Sequence, residues 1–98
     1  MKKVAVILGS DSDLPVAERA FEVLRSLRIP FFARVMSAHR TPDAVASFAR
    51  GARGEGFGAI IALAGKAAHL AGVLAAHTRL PVIGVPVKAP DLGGLDAL

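Results

Sequence analysis

Ninety-eight residues leave room for one domain, 1–98, and a chain this short buries only about 60–70% of the surface its unfolded form exposes. The composition is 53% hydrophobic and 20% charged, too apolar for disorder, and the lack of cysteine excludes disulfides, thiolate catalysis and cysteine-based zinc sites, in keeping with a cytoplasmic protein. A net charge of +4 favours anionic partners, but the basic residues are scattered along the sequence and five Phe supply all the aromatic rings, so nucleic acid is not an expected partner.

The opening segment mimics a secretory signal, yet its apolar stretch breaks at Gly9-Ser10-Asp11, and no stretch approaches the length of a membrane span. Val4 to Leu8 is an unbroken apolar run, the mark of a strand buried on both faces. A helix follows, with Val16, Ala17, Ala20, Phe21, Leu24 and Leu27 on one stripe, Asp13 as its N-cap, Pro15 in its first turn, and Arg25 and Arg28 at its negative end. The pattern then repeats. Phe31 to Met36 reads as a strand, and Thr41-Pro42 starts a second helix that turns Val45, Phe48 and Ala49 inward and ends at Gly54 or Gly56. Ala59 to Leu63 is a third strand, Ala64-Gly65-Lys66 a turn, Ala67 to Thr78 a third helix, and Pro81 to Val87 a fourth strand. Asp91 to Leu98 reads as the start of another helix. The fourth strand would then be an apolar edge that either a partner chain or further residues must cover, and the expectation is that the chain is the front part of a longer protein.

Strand and helix alternate at a period of about 27 residues, which predicts βαβ units on a parallel sheet. Right-handed crossovers place every strand-to-helix loop at the carboxyl edge, where open sheets bind ligands. The chemistry is therefore expected in loops 9–13, 37–42 and 64–70. In the first, Ser10, Asp11, Ser12 and Asp13 offer hydroxyls and carboxylates suited to ribose hydroxyls, although the same residues also make an ordinary capped turn. In the second, His39 can exchange a proton near neutral pH, and Arg40 presents a fork for phosphate or carboxylate; a solvated surface loop reads the same way. The third combines Gly65 with Lys66 and His69, where a solvated lysine and a packing histidine are the plain alternatives. His69 and His77 stand eight residues apart, roughly 12 Å along a helix, too far to share a metal ion. From the residues alone the expectation is a small anionic, ribosyl-phosphate ligand with His39 as the acid–base group.

Gly-Ser-Asp-Ser-Asp at 9–13, Ser-Ala-His-Arg-Thr-Pro at 37–42, the segment 66–72 and Gly-Val-Pro-Val at 84–87 occur together and in order. In this the chain resembles the N5-carboxyaminoimidazole ribonucleotide mutase family, the catalytic subunit of phosphoribosylaminoimidazole carboxylase, from about Val4 to Leu98. The resemblance implies an α/β three-layer sandwich with a parallel flavodoxin-like sheet. It also implies a carboxylate shift within de novo purine synthesis, without metal or organic cofactor, in a homo-octamer. By motif, His39 is the catalytic residue. Ser10, Asp13 and Arg40 bind the nucleotide with Asp11 and Ser37 beside them, and Gly65, His69 and Leu70 line the carboxylate side. Lys66 stands where the family usually has glycine and Ala71 where it usually has proline. The ammonium of Lys66 changes the charge beside that carboxylate pocket.

Overall fold

The computed structural model describes residues 1–65 and 69–87. In chain order these form β1 (Lys3–Leu8), a 3₁₀ turn (Asp11–Asp13), α1 (Leu14–Ser26), β2 (Phe31–Val35), α2 (Pro42–Ala52), β3 (Phe57–Gly65), α3 (Leu70–Ala76) and β4 (Val82–Val87). The four strands are parallel and lie in the order β2-β1-β3-β4. The chain thus runs outward from β1 to β2, returns past β1 to β3, and continues to β4. The order reverses between β1 and β3, the crevice where ligands meet open sheets of this kind.

The alternation of side chains along β1 supplies two cores. Ala5 and Ile7 point to the layer built by Val45, Ala49 and Ala52 of α2 and by Leu70 and Leu74 of α3. Val6 and Leu8 point the other way, to Ala17, Phe21 and Leu24 of α1. The result is the expected three-layer α/β/α arrangement of flavodoxin-like type, with the central strand apolar from Val4 to Leu8 because helices cover both its faces. Aromatic rings serve packing on both sides. Phe21 stacks on Phe31 at 5.0 Å between centroids, and Phe57 meets Phe48 at 5.6 Å.

Several boundaries differ from the sequence reading, each for a packing reason. β3 is longer than expected: Ala64 and Gly65 are not a turn but its last two residues, paired with Pro86 and Val87 of β4. Pro86 is tolerated because β4 is an edge strand among the described residues. α3 is shorter than expected and begins at Leu70, while the Lys66–Ala68 stretch and the expected helix after Asp91 lie outside the described residues. The apolar stripe of α1 is split. Ala17, Phe21 and Leu24 are buried, but Val16 and Leu27 are exposed because they turn sideways from the sheet. α2 ends at Ala52, and the chain turns through Gly56, whose φ of 93° is one that only glycine adopts without strain.

The end of α1 carries a testable irregularity. The Ile29 amide donates to the Leu24 carbonyl and the Arg28 amide to the Arg25 carbonyl, the paired bonds of a Schellman motif. Ile29 packs on the α1 core, as that motif's apolar contact requires. The residue that must turn left-handed is Arg28, at φ 56°. A side chain there costs about 1 kcal/mol relative to glycine. Arg28→Gly is therefore expected to raise the melting temperature by about 4–8 °C, measured by circular dichroism. A lower melting temperature would show instead that the Arg28 side chain contributes more than its backbone strain removes.

Candidate active site

Three loops converge at the carboxyl edge of β1, β2 and β3, and backbone bonds tie them to one another. The Gly9 amide donates to the Leu63 carbonyl at 2.8 Å and the Met36 amide to the Leu8 carbonyl at 2.8 Å. These bonds hold the first loop against the end of β3 and the second against the end of β1. A Cβ placed on Gly9 would stand 3.3 Å from Cβ of Ala64, so the loop after β1 runs tight along β3.

In the first loop, Ser10 and Asp13 cap each other. The Ser10 hydroxyl accepts the Ser12 amide at 3.3 Å, and the Asp13 carboxylate accepts the Ser10 amide at 3.2 Å. Asp13 is the N-cap residue of α1, as expected, but its side chain does not serve that helix. Its carboxylate makes no bond to that helix and turns back to Ser10 instead. The Ser-x-x-Asp spacing was the signal for this arrangement. Asp13 is the buried charged residue among those described, 7% exposed. Burial pushes its carboxyl above the usual carboxylate range, and the Ser10 amide offsets part of that shift. A carboxylate has about four acceptor positions, and among the described residues one is used, so Asp13 retains capacity for a ligand hydroxyl. Asp11 and Ser12 beside it are exposed.

The second loop is built around Ser37. Its hydroxyl accepts the Arg40 amide at 3.1 Å, and its carbonyl accepts both the amide and the hydroxyl of Thr41, at 2.9 and 3.1 Å. Thr41 stands at the expected start of α2 with Pro42 after it, but its hydroxyl serves this turn and not the helix end. The turn closes on itself through Ser37 and leaves the His39 and Arg40 side chains exposed at the edge.

His69 precedes α3 and is also exposed. Its ring meets that of His39 edge-on, with centroids 5.6 Å apart and planes at 65°. The sequence put both at one sheet edge, and the resemblance put both in one pocket, but neither set the two rings against each other. No spacing rule links two residues on different βα units, and only the shared sheet edge brings them together. Leu70, the next residue, is buried at 2% exposure in the α2–α3 core, so its side chain anchors the loop while its backbone follows His69 at the edge. Gly65 ends β3 beside β4, 3.6 Å from the Val87 carbonyl measured from an ideal Cβ. Ala71 lies in the first turn of α3, where proline and alanine both fit, so its departure from proline carries no backbone cost. Lys66 lies outside the described residues.

The edge therefore presents a buried carboxylate, an arginine fork and two imidazoles in contact. Hydroxyl acceptance, phosphate pairing and proton exchange are the chemistry these groups offer. No helix among the described residues is long and apolar enough to cross a membrane.

A sequence model of the family described as AIR carboxylase matches residues 3–98. The chain is 54% identical over 98 residues to a protein of Pyrococcus abyssi named N5-carboxyaminoimidazole ribonucleotide mutase, covering 100% of this chain and 56% of the relative. A Thermotoga maritima protein of the same name is 52% identical, again over 100% of this chain and 57% of the relative. The phosphoribosylaminoimidazole carboxylase of Ogataea methanolica is 53% identical over 95 residues, which are 97% of this chain and 18% of that protein. The chain thus spans a little over half the length of the two mutases.

Proposed function

The chain belongs to the AIR carboxylase family, and from that membership and the geometry of the sheet edge we propose that it builds the site converting N5-carboxyaminoimidazole ribonucleotide to 4-carboxy-5-aminoimidazole ribonucleotide, a step of purine synthesis. The observation that carries the reading is the contact between His39 and His69 at 5.6 Å, one loop away from the buried Asp13. In this reading Asp13 accepts the ribose hydroxyls and Arg40 pairs with the phosphate. Ser10, Asp11 and Ser37 support them, and Gly65, His69 and Leu70 form the carboxylate side.

The His39 imidazolium gives its proton to the exocyclic nitrogen as the bond from that nitrogen to the carboxylate carbon breaks. The bonding pair stays on nitrogen, and carbon dioxide is released beside aminoimidazole ribonucleotide. The ring carbon then attacks the carbon dioxide, and His39, now neutral, takes the proton that this carbon sheds. The borrowed proton is returned, so the two steps balance as an isomerisation. Holding carbon dioxide next to its acceptor is a proximity effect, and it requires a pocket that excludes water. Association of several copies, an octamer by the family resemblance, is part of the same reading. The exposed Val23, Leu27 and Ile83 are apolar surface suited to it.

A second reading, carboxylation of aminoimidazole ribonucleotide by free carbon dioxide, has the Ogataea relative's name in its favour. An ultraviolet assay for the ring-carboxylated product separates the two. One cuvette holds N5-carboxyaminoimidazole ribonucleotide, the other aminoimidazole ribonucleotide with bicarbonate. Product forming fast in the first and slowly in the second is the expected result. The reverse order assigns the carboxylase, and a folded sample silent in both while still binding ribonucleotide is a binding module without turnover.

A further inference from the structure

The basic residues that look scattered in sequence are in part gathered by the fold. Arg50 and Arg53 at the end of α2, Ala76 at the end of α3, His77 and Thr78 after it, and Arg79 beyond them line an open cavity of about 440 Å³. Both helices start at the edge that carries His39 and His69, so this cavity lies at the opposite pole of the sheet, a helix length of roughly 10–16 Å away. None of its lining residues takes part in the site described above.

Charge decides what it can hold. The last turns of α2 and α3 each bring about half a negative charge, which one basic residue per helix would offset. Three guanidinium groups exceed that need, and among the described residues no carboxylate lines the cavity. Glu55, two residues past Arg53, is the nearest acidic residue in sequence and is not among the lining groups. The Thr78 hydroxyl accepts the Leu80 amide at 3.2 Å, which leaves its own proton free to donate. Arginine forks pair with phosphate oxygens two at a time, and the volume lies within the range of small-molecule sites, about 300–1,000 Å³. We propose that this cavity is a second anion site, taking a diphosphate group held between Arg50, Arg53 and Arg79.

The group could be free pyrophosphate or the diphosphate of a nucleotide, and titrations with inorganic pyrophosphate, ADP and AMP distinguish them. Isothermal titration is expected to show saturable binding of pyrophosphate that weakens with salt and falls about tenfold or more in an Arg50→Gln/Arg79→Gln double variant. Arg19→Gln, an exposed arginine on α1 that belongs to neither site, should leave it unchanged. ADP binding as tightly as pyrophosphate, with AMP weak, assigns a nucleotide diphosphate; pyrophosphate alone binding assigns the free anion. Amide shifts of Thr78 and Arg79 in the unmodified chain on adding pyrophosphate give a readout independent of how the variants fold. No saturable binding at millimolar pyrophosphate, or shifts confined to Ser10–Asp13 and Arg40, overturns the proposal.

Discussion

Replacing His39 by asparagine is expected to lower turnover of the carboxyaminoimidazole ribonucleotide about 100- to 10,000-fold, the range that a positioned acid–base group contributes. Asparagine keeps a polar side chain of similar reach and removes the ability to shuttle a proton. His39 is exposed, and the loop around it is closed through Ser37, so the substitution leaves the fold intact. Ribonucleotide affinity should change little, because phosphate and ribose are assigned to Arg40 and Asp13 on other parts of the edge. The discriminating measurement is therefore paired: product formation by ultraviolet absorbance and ribonucleotide binding by calorimetry on the same preparation. Loss of both together would mean that His39, through its contact with His69, mainly holds the second and third loops in place. Unaltered turnover would remove His39 from the chemistry altogether.

The elements and the edge on which the site lies could be read before any coordinates, because they depend on local pattern. Val4 to Leu8 is apolar at every position, and a strand covered on both faces requires that. The strand-to-helix loops fall on one edge whatever the strand order, since right-handed crossovers ensure it. The details that failed were those set by partners distant in sequence. Ala64 and Gly65 have turn composition, yet β4 runs beside them and pulls them into the sheet. Val16 and Leu27 obey the helical period of α1 but fall on a side of the helix that the sheet does not reach. The same limit applies to function. His39 and His69 belong to successive βα units and were expected at one edge, while the contact of their rings depends on β2 and β3 both standing beside β1. Arg79 lies far along the chain from Arg50 and Arg53, and only the packing of α3 beside α2 makes them neighbours.

Asp13 leads to the second large effect, one in which stability and binding should move in opposite directions. Burial raises its carboxyl above the usual range, which means that the folded chain holds this proton more tightly than the unfolded chain does. The stability that follows is fully present below the ordinary carboxylate value and is lost as pH rises through the raised native one. At neutral pH the ionised group is thus a net cost to folding, only partly offset by the Ser10 amide. Asp13→Asn keeps the shape, and its Oδ1 can still accept that amide, but no charge is buried. The variant is expected to melt at a higher temperature than the parent at pH 7, and the difference should vanish in acid, where the parent's carboxyl is itself neutral. Ribonucleotide binding should weaken about 10- to 100-fold, because hydrogen bonds to a charged group are worth about 1.5–3 kcal/mol. Thermal melts across pH and a binding titration read the two effects separately. A residue that only capped the turn would lose stability on substitution and leave affinity alone. A variant that is less stable at pH 7, or that binds ribonucleotide as well as the parent, would therefore return Asp13 to that lesser role. Greater stability with poorer binding is what a carboxylate kept buried for its ligand must give.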